Sequence, residues 1–150
     1  MEDIFRSAIS SFQAAGDRFP CFHFAELLAR VQALPRRELR VCGAGEDRDR
    51  LAALATDLAP ERIDVAPRPV PFERIPAELE AAHIGVVPTL HDEFTELLLP
   101  VKLLEYVHMG LRAVSSRLPG IERYFHGESV RFFGPGSPPS LAEALRVVWE

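Results

Sequence analysis

Residues 83–110 read HIGVVPTLHDEFTELLLPVKLLEYVHMG, and this one stretch contains a strand, a polar loop and a helix in succession. His83 to Pro88 is apolar along most of its length, as expected of a parallel strand covered on both faces. Thr89 to Glu96 is a polar loop. From Pro100 to Met109 the pattern is helical, with proline at the start and Gly110 at the stop. Working outward, the same alternation recurs on both sides. Upstream, Leu39–Cys42 is a short strand closed by Gly43-Ala44-Gly45. Glu46–Leu58 then places Leu51, Leu54, Ala55 and Leu58 on one helical face, Ile63–Ala66 is a second strand, and Phe72–Ala82 is a helix. Downstream come a strand at Ala113–Ser116, a short helix at Pro119–Phe125, a strand at Val130–Phe133 and a closing helix at Ser140–Trp149. Strands alternating with helices predict a single α/β domain over residues 38–150, a Rossmann-like doubly wound parallel sheet.

Residues 1–37 do not fit that alternation. Phe5, Ala8, Ile9 and Phe12 recur at helical spacing and predict a helix over Asp3–Ala14, and His23–Leu34 predicts another. No opening strand is legible, so the segment is expected to be irregular or helical and the sheet to lack its first strand.

With 150 residues the chain is long enough to bury a core without staples. Its net charge of −5 argues against a nucleic-acid partner, which would call for a basic stripe. No run approaches the length of a transmembrane segment, and MEDIFRSAISSF lacks the basic and apolar regions of a secretory signal, so a cytoplasmic location is expected. Cys21 and Cys42 show neither metal-ligand nor disulfide spacing. His91, Asp92 and Glu93 are adjacent in a loop with no second ligand group, so no metal site is expected. Neither is a cofactor. Ser115-Ser116 lacks the context of a nucleophile elbow. Lys102 is the only lysine, against sixteen arginines.

In parallel α/β sheets ligands sit at the carboxyl ends of the strands. Three loops fall there: Gly43-Ala44-Gly45, residues 89–99 and Pro119-Gly120. The start of the helix at Pro100 offers backbone N–H groups to an anion such as a diphosphate. Lys102 and Glu105 are three apart and share a helical face. A carboxylate there can accept hydrogen bonds from two vicinal hydroxyls, as a ribose presents. Against this stands the plainer reading of Glu105 and Lys102 as solvated surface charges, and of Gly43 and Gly45 as tight strand terminators.

The run P-x-K-L-L-E-Y-x-x-x-G, at Pro100, Lys102–Tyr106 and Gly110, resembles the signature of family 4 retaining glycosyltransferases, whose fold is GT-B. Flanking pieces agree in order: Gly43-x-Gly45, VPFERIPAEL at 70–79, HIGVVPT at 83–89, AVSSRLPGIERY at 113–124, and Phe133, Pro135 and Gly136. The resemblance spans roughly residues 38–150 and implies the C-terminal, donor-binding domain. It implies a UDP- or GDP-linked sugar as ligand, with Glu105 on the ribose, Lys102 on the phosphates, and Gly43, Gly45, Thr95, Glu96, Leu98 and Leu99 around the donor. Where the family carries a second acid, eight positions before Glu105, this chain has Leu97; Glu96 and Glu93 are the nearest acids. After the signature helix the family often has Gly-x-Pro, and here Gly110-Leu111-Arg112 stands. The implied activity is transfer of a glycosyl group to an acceptor hydroxyl, in the setting of cell-envelope polysaccharide synthesis. No catalytic residue is assignable. The acceptor domain is expected elsewhere, for instance on a separately encoded N-terminal half, so the chain alone should be inactive. The rival expectation is a non-catalytic nucleotide-sugar-binding or interaction module, truncated or split from such an enzyme.

Overall fold

The computed structural model describes residues 5–10, 37–42, 48–58, 63–65 and 70–149. Its strands are β1 (Phe5–Ser10), β2 (Arg37–Cys42), β3 (Ile63–Val65), β4 (Ala82–Val87), β5 (Arg112–Ser116) and β6 (Val130–Phe133). They form one sheet in the order β3-β2-β1-β4-β5-β6, with every neighbouring pair parallel. The strand order reverses between β1 and β4, the position at which doubly wound sheets open a crevice for ligands. The described helices are α1 (Arg48–Leu58), α2 (Ile75–Glu80), α3 (Val101–His108), α4 (Pro119–Glu122) and α5 (Pro138–Trp149). Short 3-10 turns occur at Phe72–Arg74 and Thr95–Leu97.

The α/β alternation expected after residue 38 is present, with two adjustments. The helix anticipated over 72–82 is a 3-10 turn running into α2, and Ala82 already belongs to β4. The larger correction lies at the N-terminus. Phe5–Ser10 is a strand, not part of a helix, and it is central, paired with β2 on one side and β4 on the other. The boundary expected at 37/38 falls inside β2, so the sheet draws its middle strand from the segment read as irregular or helical. Four apolar residues between Phe5 and Phe12 are too few to separate a 3.6 period from other periods. Backbone pairing on both edges, which depends on strands far along the chain, outweighs a weak local preference. The second helix expected there, His23–Leu34, lies outside the described residues, as do Gly43 and Gly45.

Strand alternation divides the core between the two faces of the sheet. On one face Leu39, Val41, Ile84, Val86, Val114 and Phe133 pack with Ala55 of α1 and Leu141, Ala144 and Leu145 of α5. On the other, Val87, Ala113 and Val130 pack with Leu79, Leu103, Tyr106 and Ile121 from α2, α3 and α4, and with Leu118, the N-cap of α4. Phe133 belongs to the first cluster, and Trp149 packs against that cluster. Arg112, standing where the family pattern has proline, donates from its guanidinium to the Val148 carbonyl at 2.6 Å, placing a cation at the last turn of α5. No described helix is long and apolar enough to cross a membrane.

Candidate functional site

Beyond β4 the chain turns at Pro88 and forms a loop that fixes its own shape. The Asp92 carboxylate accepts the N–H groups of Phe94 at 2.9 Å and Thr95 at 2.7 Å. In return the Thr95 hydroxyl accepts the Asp92 N–H at 2.8 Å and donates to the Leu90 carbonyl at 2.6 Å. This reciprocal pattern closes a turn much as a capping box closes a helix start. Thr95 is buried, and its hydroxyl is engaged in holding the loop. Asp92 likewise serves the loop. Among the described residues no group of three or more His, Cys, Asp or Glu side chains is gathered as a metal site.

From this turn Phe94, Glu96 and Leu97 reach outward, and Leu97, in the place of the family's acid, is 81% exposed. Leu98 and Leu99 are half-buried on the way to Pro100. Pro100 is the N-cap of α3 with extended backbone angles, and no side chain caps the helix start. The first turn of α3 therefore has no side-chain cap, and within it the Leu103 amide donates to the Pro100 carbonyl at 3.0 Å. Leu103 and Tyr106 hold the helix down, both fully buried. The Tyr106 ring covers Gly85 of β4 so closely that a Cβ there would lie 2.2 Å from the ring. That contact sets the height of α3 above the sheet.

Lys102 and Glu105 flank the anchored face of α3, and both are half-buried. Burial lowers the Lys102 pKa to about 8, against the partly compensating fields of Glu105 and Cys42. Cys42 is the last residue of β2, so Lys102 is tied electrostatically to the carboxyl ends of the strands beside the switch point. Cys42 was missed as a site neighbour; its place at a strand's carboxyl end was the available signal. Glu105 also borders an open groove of about 530 Å³ with Leu104, Val107, His108 and Phe125. Glu93 and Glu96 are both exposed. The crevice is thus bordered by a helix start, a desolvated cation, a carboxylate one turn on, and a rigid turn: an arrangement able to receive a phosphorylated, polyhydroxylated ligand.

A family model described as "Glycosyl transferases group 1" matches residues 19–150. No curated protein matches the sequence. Among solved structures, the catalytic domain of cholesterol-α-glucosyltransferase from Helicobacter pylori superposes with a TM-score of 0.73 at 15% identity, over 97% of this chain and 86% of that one. The C-terminal domain of a glycosyl transferase group 1 family protein from Francisella tularensis gives 0.71 at 15% identity, over 97% and 75%. A glycosyltransferase from Rickettsia africae gives 0.76 at 12% identity over 98% of this chain, which spans only 38% of that protein. At such identities the superpositions speak for the fold, and the family model speaks for descent. The chain belongs to the group 1 (family 4) glycosyl transferases, as a C-terminal, donor-binding domain with the GT-B fold.

Proposed function

We propose that this domain binds a UDP- or GDP-linked sugar across the carboxyl ends of β1 and β4, and supplies the donor half of a retaining glycosyl transfer to an acceptor hydroxyl. The observation that carries this reading is Lys102. The only lysine of the chain is half-buried at the start of an uncapped helix, beside the strand ends, where desolvation opposes its charge. Lys102 and Glu105 are both half-buried beside the strand ends, and a cation placed there is complementary in charge to the diphosphate of a nucleotide-sugar. Lys102 and the first amides of α3 would hold the diphosphate and stabilise the charge it gains as it leaves. Glu105, one turn on, would accept hydrogen bonds from the ribose hydroxyls. The rigid turn at 92–97, with Glu96 nearest the family's acid position, would lie toward the transferred sugar, with Leu98 and Leu99 behind it. Gly43 and Gly45, which lie outside the described residues, would take the place around the donor that the resemblance implies. The acceptor site, and with it turnover, would come from a second domain, on this polypeptide or encoded separately.

Leu97 favours a second reading. An exposed leucine where relatives carry an acid removes a sugar contact, which suits a domain that binds donor without transferring it.

Calorimetric titration with UDP and GDP tests the site. The wild type should bind one of them with a dissociation constant of about 0.1–1 mM. Glu105→Gln should weaken this by about 1.5–3 kcal/mol while leaving the melting temperature unchanged. No heat with either nucleotide at millimolar concentration overturns the proposal, and a melting temperature several degrees lower with unchanged affinity makes Glu105 a structural residue.

A further inference from the structure

The turn Thr95–Leu97 and the helix α4 come from different strand–helix units, yet they meet backbone to backbone. A Cβ on Gly120 would stand 2.8 Å from the Leu97 carbonyl carbon and 3.0 Å from the carbonyl oxygens of Glu96 and Leu97. The obstacle is main chain, which cannot rotate aside as the end of a side chain can. Conformation does not require glycine here, because the left-handed glycines among the described residues are Gly110 and Gly136. Space alone requires it. The hydrogen bonds between Asp92 and Thr95 fix the shape of the turn but not its position relative to α3. Its position comes from the seat that Gly120 leaves open.

We propose that Gly120 is a positioning residue for the sugar end of the donor site: its bare Cα seats the Thr95–Leu97 turn at the height from which that turn meets the transferred sugar. The inference rests on the donor-site reading above. A methyl group on Gly120 pushes the turn outward while α3, anchored separately through Tyr106 on Gly85, keeps Lys102 and Glu105 where they are. Contacts to the nucleotide then survive and contacts to the sugar do not, since shifts of about 1 Å suffice to lose a positioned interaction.

The test compares Gly120→Ala with Thr95→Val, which loosens the same turn from within by removing the buried hydroxyl. Two controls accompany them. Gly127→Ala places its methyl where no atom lies within 4 Å, and Gly110→Ala strains a residue at φ 75° without touching the turn. Hydrogen exchange at the Glu96 and Leu98 amides, both bonded within the turn, should quicken about tenfold or more in the two turn variants and in neither control. Unchanged exchange in Gly120→Ala overturns the seat. Affinity for UDP-glucose and GDP-mannose should fall about tenfold in the turn variants, while affinity for UDP and GDP stays within about twofold. Equal loss of both overturns the sugar role. Wild-type protein that binds none of the four overturns the donor-site reading and the sugar role together, and the exchange data then decide the seat independently.

Discussion

At Lys102 stability and the proposed anion binding oppose each other within a single residue. Its pKa in the folded chain is about 8, while the unfolded chain holds the ordinary value of 10.5. Between those values the unfolded state binds more protons than the folded state, so this group makes stability rise with pH across that window. Below about pH 8 the cost of burying the cation is fully present, on the order of 3 kcal/mol. Lys102→Met should therefore raise the melting temperature at pH 7 by several degrees and flatten the pH dependence between 8 and 10.5 relative to the wild type. The same variant should bind UDP or GDP more weakly but bind uridine or guanosine as the wild type does. In the wild type, diphosphate affinity should decline as pH passes about 8, where the free protein loses this charge. Thermal melts across pH and titrations at two pH values check both halves. A variant that is less stable at pH 7 would show that the side chain serves packing rather than anion binding.

Among the elements, α3 carries the candidate site residues Lys102 and Glu105, and its placement depends on a residue of another element. Gly85 sits in β4 directly beneath the Tyr106 ring, with Tyr106 fully buried and unable to swing out. Gly85→Ala should destabilise the domain by about 3 kcal/mol, because the added methyl meets a ring held in a packed core. Gly127→Ala, with open space around its Cβ, should change stability by no more than about 0.5 kcal/mol. Denaturant unfolding of the two variants makes the comparison. Equal stability would mean that α3 can ride higher on the sheet, and the site geometry would then not be fixed by this contact. The glycine was visible in HIGVVP as an interruption of an apolar strand, but its reason was not. Nothing local in the sequence says which side chain will lie over it.

At the scale of the whole molecule, β4 and β5 are covered on both faces while β3 and β6 are the edges of the sheet. Amides of Val86, Val87, Val114 and Ser115 should exchange at the rate set by global unfolding, and those of β3 and β6 faster, which native-state hydrogen exchange can read directly. Comparable protection in β3 and β5 would contradict this layering. The same distinction governs what could be read in advance. From about residue 38 the sequence alone determined the alternation of elements, because doubly covered strands and amphipathic helices leave patterns that depend only on neighbours along the chain. It also determined the family, through P-x-K-L-L-E-Y and its flanks, and its spacing proposed Lys102 and Glu105 as site residues. Only the tertiary structure decided that Phe5–Ser10 is the central strand, since its pairing partners are Arg37–Cys42 and Ala82–Val87, distant in sequence. Only the tertiary structure showed Cys42 acting on Lys102, Tyr106 over Gly85, and the 95–97 turn seated on Gly120. Two of these, Cys42 on Lys102 and the turn on Gly120, join separate strand–helix units, and in all of them the deciding quantity is a distance in space rather than a period along the chain.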